Sequence, residues 1–163
     1  MASSSPRPLN PAEHRARRRR VARLARALGF IGRIEYRHVY SQTGGAQYGR
    51  GSTAEEDLLT VYAEAFERDA DPEDFSLEAI LAHERGHQLL ARHRRIAKRV
   101  AGRLSAASEE ILASLLGAML CADETDRDAL MAKATVELLN HGEELEVATR
   151  RLQELWNLLE ALL

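Results

Sequence analysis

The sequence predicts an α+β fold, mainly helical, with a small antiparallel β-sheet preceding a histidine-bearing helix. Three observations carry that expectation. Apolar residues recur at helical spacing around residues 76–90 and again between 109 and 163. Between residues 34 and 66 the pattern changes to strand alternation, punctuated by Gly44, Gly45, Gly49 and Gly51. The chain has 163 residues, 45% hydrophobic and 29% charged, which suits one globular domain with a core of ordinary size.

Residues 1–11 are small, polar and proline-punctuated, the composition of a disordered tail. No apolar signal segment or membrane span follows, so the expected location is cytoplasmic. Pro11 then opens a basic helix carrying Arg15, Arg17 to Arg20, Arg23 and Arg26, with Val21, Leu24 and Leu28 as a thin apolar stripe. Residues 1–50 hold 11 Arg against Glu13 and Glu35, a balance of +9, so the remainder carries −11 to reach the net −2. An arginine helix suits a nucleic acid or an acidic partner, and equally it suits pairing with the acidic C-terminal half. No helix-turn-helix, zinc-finger or aromatic RNA-binding pattern accompanies it, so nucleic acid is not the expected partner.

Ile34 to Tyr40 alternates as a strand, Thr43-Gly44-Gly45 signals a turn, and Ala46 to Tyr48 forms a short second strand. Leu58 to Phe66 reads as a third strand, although its Ala and Glu content also suits a helix. An acidic linker, Glu67 to Glu73, leads onward. Ser76 is the expected N-cap of the next helix, with Phe75 and Ile80 placed to form a hydrophobic staple and Asp74 and Glu78 favouring its positive end.

That helix carries Leu81-Ala82-His83-Glu84-Arg85-Gly86-His87-Gln88-Leu89-Leu90. Positions four apart on an α-helix differ by roughly 40° in direction, so His83 and His87 face one point and suit a shared metal ion. Glu84 is displaced around the helix from the first histidine, which suits a base for water rather than a ligand. A catalytic zinc takes a third protein ligand and keeps a position for water. His93 is one candidate, ten residues after His83, but on a continuous helix it points away from both histidines. The better candidate lies on the following apolar helix, for which Ser108 is the expected N-cap and where Ala113 and Gly117 permit close helix approach. Glu110 shares the face of Ala113, with Glu109 as the alternative. Tyr40, Tyr48, His38 and Arg94 are candidates for a donor to the developing oxyanion, with nothing to choose among them.

After Leu90, Arg92, Arg94, Arg95, Lys98, Arg99 and Arg103 form the solvated face of a continued helix or connector. The lone Cys121 is expected to be a buried core thiol. Thr125 is the expected cap of a helix to about Leu139, ended by Gly142, and Glu143 to Leu163 forms a last amphipathic helix. Its leucines make a homodimer through the C-terminal helices an expectation.

The stretch Phe75-Ser76-Leu77 to Leu90, with Leu-Ala-His-Glu-x-Gly-His followed by Leu-Leu, resembles the active helix of the ImmA/IrrE group of gluzincin metallopeptidases and related minimal gluzincins. The likeness covers roughly residues 30–120. It implies a zincin-like domain over residues 12–122, with residues 123–163 as a helical pair packed on it. It also implies that His83, His87 and Glu110 are zinc ligands, that Glu84 is the general base, and that the activity is peptide-bond hydrolysis in a peptide or protein substrate. The same likeness points to regulated cleavage of a transcriptional repressor. Two readings from other classes stand beside it: a non-catalytic zinc-containing interaction module, and a nucleic-acid-associated regulator working through the arginine helix.

Overall fold

A computed structural model describes residues 5–163. The elements run α1 (Pro11–Ala27), β1 (Arg33–Arg37), β2 (Ala46–Gly49), β3 (Leu58–Tyr62), α2 (Ala63–Ala70), α3 (Leu77–Arg92), α4 (Arg94–Val100), α5 (Ala106–Leu120), α6 (Glu124–Asn140) and α7 (Leu145–Leu162), with a short 3-10 turn over Ala54–Glu56. The mainly helical α+β class stands.

Leu9 and Asn10, which the sequence places in a disordered tail, take part in the fold. Residues 1–4 lie outside the described residues, but Leu9 packs on the core and Asn10 caps α1. Asn10 Oδ1 accepts from the Glu13 N–H at 2.8 Å while Glu13 Oε2 accepts from the Asn10 N–H at 3.0 Å. That reciprocal capping box explains why order begins before Pro11.

The sheet is mixed rather than wholly antiparallel. Its order is β1-β3-β2, with β1 parallel to β3 and β2 antiparallel to it. Residue alternation encodes which face a side chain takes, but neither neighbour nor direction, and here β3 inserts between the two strands that precede it. The turn at Gly44 and Gly45 uses φ of +84° and +111°, and a Cβ on Gly45 would stand 2.9 Å from Ala65 Cα. β3 buries Leu59, Thr60 and Val61 consecutively, so both of its faces are covered. It ends at Tyr62, four residues earlier than expected, because Ala63, Glu64, Ala65 and Glu67 are better placed in α2.

Ser76 caps α3 as expected, its hydroxyl accepting from the Ala79 N–H at 3.1 Å. Two later caps differ. Ser105, not Ser108, starts α5, accepting from the Ser108 N–H at 3.2 Å, and Asp123, not Thr125, starts α6, accepting from the Asp126 N–H at 3.1 Å. Each side chain lies one turn ahead of the N–H it satisfies. Gly142, at φ +85°, closes α6 as expected. Cys121 is buried.

α3 and α5 cross at very short range. A Cβ on Gly86 would lie 2.1 Å from the Ala113 carbonyl oxygen, and one on Gly117 would lie 2.7 Å from that of Ala82. Small residues on both helices therefore set the spacing that the site needs.

A buried polar group fastens the sheet to α3. Asp57, fully buried, accepts from Tyr48 Oη (2.8 Å), the Gly51 N–H (2.8 Å), Gln88 Nε2 (3.0 Å) and Arg92 (2.7 and 3.1 Å). Arg92 is thus half-buried and paired, not part of a solvated face. Burial opposes the charge on Asp57, but Arg92, Gln88, Gly51 and Tyr48 outweigh it and hold the carboxyl well below the ordinary range. The same burial, with Asp57 alongside, pushes the Tyr48 hydroxyl up to about 12. Asp57→Asn is expected to cost on the order of 3 kcal/mol, because it breaks the ion pair of a fully buried carboxylate and weakens the acceptor sites for Arg92, Gly51, Gln88 and Tyr48. A carboxylate whose pKa is depressed on folding contributes fully above its unfolded value, near 3.9, and that contribution fades as pH falls from there toward the folded value. Urea unfolding at pH 7 and pH 3 should therefore show wild type losing more stability than Asp57→Asn over that interval. Equal losses would remove the ion pair from the account.

Candidate metal centre

His83 and His87 occupy successive turns of α3, and α5 brings Glu110 to them. The potential ligand atoms of these three residues all lie within 4.8 Å of one another. More closely, His83 Nε2 is 3.2 Å from His87 Nε2, Glu110 Oε2 is 3.1 Å from His83 Nε2, and Glu110 Oε1 is 3.2 Å from His87 Nε2. Tetrahedral coordination with metal–ligand bonds of about 2.0–2.1 Å places ligand atoms about 3.3–3.4 Å apart, so the triangle has the dimensions of a coordination face.

The outer nitrogens are also committed. His87 Nδ1 lies 3.0 Å from Glu109 Oε1, and His83 Nδ1 lies 3.0 Å from Ser114 Oγ. A carboxylate only accepts, so Glu109 fixes the His87 proton on Nδ1 and turns the Nε2 lone pair inward. Ser114 Oγ can likewise accept the His83 Nδ1 proton, and with both protons outward the two Nε2 lone pairs and the Glu110 carboxylate converge on one point, an arrangement that a cation stabilises. The donor set therefore fits a divalent metal ion.

Glu84 sits beside this triangle, held by the sheet. Tyr48 N–H, facing away from β3, donates to Glu84 Oε2 at 2.9 Å and leaves the other oxygen free. Removal from water pushes the Glu84 carboxyl up to about 7. Burial also lowers the pKa of His83. For His87 burial acts in the same direction, but the Glu110, Glu84 and Glu109 carboxylates outweigh it and the pKa rises. Where the histidines carry protons on Nε2 instead, their hydrogen bonds to Glu110 hold its carboxyl far below its ordinary range.

The cluster floors a cavity of about 370 Å³. Ala46, Gln47 and Tyr48 of β2 form one side, while Phe75, Ile80 and Leu130 form an apolar wall. β2 is an edge strand of the sheet.

Of the alternatives for the third ligand position, Glu109 serves the outer nitrogen of His87. His93 ends α3 and caps α4, its Nδ1 accepting from the Ile96 N–H at 3.5 Å. Among the oxyanion candidates, Tyr40 donates to Glu67, His38 lies between Tyr36 Oη and the Arg7 carbonyl, and Arg94 is exposed on α4. Tyr48 reaches the site through its backbone while its hydroxyl serves Asp57. The cation that does face the triangle is Lys133 on α6, with Nζ 3.4 Å from Glu110 Oε2. Sequence reasoning missed it, since no spacing rule ties α6 to the histidine motif; the one available signal is a lysine in a chain with only Lys98 besides.

Comparison with protein-family models, curated proteins and solved structures finds no match to this chain. Among the described residues no helix is long and apolar enough to cross a membrane.

Proposed function

We propose that the chain is a zinc-dependent metallopeptidase that hydrolyses peptide bonds in a peptide or protein substrate, as the gluzincin resemblance implies. The observation that carries this reading is the meeting of His83 Nε2, His87 Nε2 and Glu110 with an adjacent, separately held Glu84 carboxylate. Two imidazoles and one carboxylate are a donor set of catalytic zinc sites, and an ion held by them would supply a Lewis acid that polarises a carbonyl and lowers the pKa of its water to about 7. Glu84 then works through its free oxygen. It takes a proton from the attacking water and delivers it to the leaving amine nitrogen, while Tyr48 N–H keeps the carboxylate from swinging. Lys133, which lines the cavity with Nζ 3.4 Å from Glu110 Oε2, is the cation placed to stabilise a developing oxyanion. The β2 edge supports an extended substrate adding as a further strand, with the Phe75, Ile80 and Leu130 wall taking an apolar side chain. Cleavage of a repressor is the narrower form of this reading.

Metal affinity tests the ligand set. Glu109→Ala, which frees the outer nitrogen of His87, should weaken zinc binding about 10–100-fold. Glu110→Ala, which removes a donor from the triangle, should weaken it further. Competition with a zinc chelator measures both, and undiminished affinity in Glu110→Ala would take Glu110 out of the ligand set.

A further inference from the structure

Pairing of the α1 arginines with the acidic half of the chain, one expectation from the sequence, is largely not what the structure contains. Arg20 pairs with Asp69 at 2.7 Å. Arg17 donates to Tyr36 Oη at 2.8 Å and stands over the Phe66 ring. Arg26 donates to the Phe30 and Gly32 carbonyls. Among the described residues Arg15, Arg18, Arg19 and Arg23 have no acidic partner, and all four are exposed. The acidic groups at hand are already engaged, Glu13 in the capping box, Glu35 with Arg37 and Asp69 with Arg20.

Arg15, Arg19 and Arg23 follow one another at four-residue intervals, a row with a step of about 6 Å along the helix. Arg15, Arg18 and Arg19 also rim a groove of about 320 Å³ between α1 and β1. β1 adds exposed Arg33 and Arg37 on the sheet edge opposite the β2 cleft. The remaining exposed residues of α1 are Pro11, Ala12, Ala16, Arg26 and Ala27. Protein-binding faces centre on accessible aromatic or large aliphatic anchors; the exposed residues of α1 include none, and the groove's Val21 and Tyr36 are buried at its floor with Ile34 half-buried. Evenly repeated guanidinium forks with no exposed apolar anchor among them match a chain of phosphates instead.

We propose that the exposed face of α1 binds the phosphate backbone of a nucleic acid without regard to base sequence. The surface is separate from the metal centre and does not rest on the peptidase reading. α4 is also basic, but the groove that Arg95, Lys98, Arg99 and Arg103 line is closed by Ala161 and Leu162 at the end of α7, and Arg103 lies beyond the end of α4, so these cations do not form a regular helical row like that of α1.

Fluorescence anisotropy tests this with the full chain in chelator, using two unrelated 20-base-pair duplexes and salt between 50 and 200 mM. Wild type should bind both duplexes alike, with a slope of log affinity against log salt of about −3 to −4, since each neutralised phosphate contributes about −0.9. Arg15→Glu/Arg19→Glu/Arg23→Glu should lose at least about 100-fold in affinity and most of that slope. The neutral triple Gln variant should fall between the two, and circular dichroism verifies that each is folded. Arg95→Glu/Lys98→Glu/Arg103→Glu should bind within a few-fold of wild type. Absence of wild-type binding at 50 mM salt, an undiminished α1 variant, or an equal loss in the α4 variant would overturn the proposal. So would competition by polyglutamate as effective, charge for charge, as by DNA, which would point to an acidic protein.

Discussion

Glu84→Gln is expected to leave the metal in place and to slow peptide hydrolysis by a factor of about 10²–10⁴, the range for loss of a positioned general base. The substitution keeps size and shape, and its amide oxygen still accepts from Tyr48 N–H, which reaches Glu84 Oε2 at 2.9 Å. The ligand atoms of His83, His87 and Glu110 are untouched. What disappears is a group able to take a proton from water and return it to nitrogen. Elemental analysis should find equal metal in both proteins, while cleavage of a peptide library, read by mass spectrometry, separates them. Equal cleavage would remove Glu84 from the base role. Loss of metal along with activity would show that the carboxylate helps hold the ion.

The second large effect is structural. Gly86→Ala is expected to destabilise the chain by roughly 2–3 kcal/mol, despite the gain of about 1 kcal/mol that Ala brings to a helix interior. The added methyl would stand 2.1 Å from the Ala113 carbonyl oxygen, and both partners are helix backbone with no rotamer to yield. α3 and α5 must move apart, and the histidines ride on one while Glu110 rides on the other. A displacement approaching 1 Å loosens a site of this kind, so metal affinity should fall along with stability. For a domain of this size the melting temperature should drop by about 5–10 °C. A raised melting temperature would mean that helix propensity alone governs the position and that the close crossing does not.

The histidine helix was legible because its information is local: a serine cap, an apolar stripe and a five-residue motif all lie between Ser76 and Leu90. Glu110 was legible for a related reason, since it shares a helix face with Ala113, where the helices touch. Asp57 was not. It follows Glu55 and Glu56 in an acidic run, and its partner Arg92 is 35 residues away, in a stretch that reads as a solvated basic face. Its burial depends on β3 sliding between β1 and β2, and residue alternation does not encode strand order. Lys133 escaped for the same reason, because only the docking of α6 brings it to Glu110. Gly86 occupied a position the motif leaves free, so its tight contact with Ala113 appears only once two helices are placed together. The caps moved by two or three residues because Ser105 and Ser108, or Asp123 and Thr125, are chemically equivalent at that position.

The most direct test of the metal centre is the zinc content of protein purified without added metal. One zinc per chain, retained through dialysis and lost in His83→Ala, is the predicted result. Protein that is empty, and that also fails to take up added zinc near neutral pH, would contradict the metallopeptidase account.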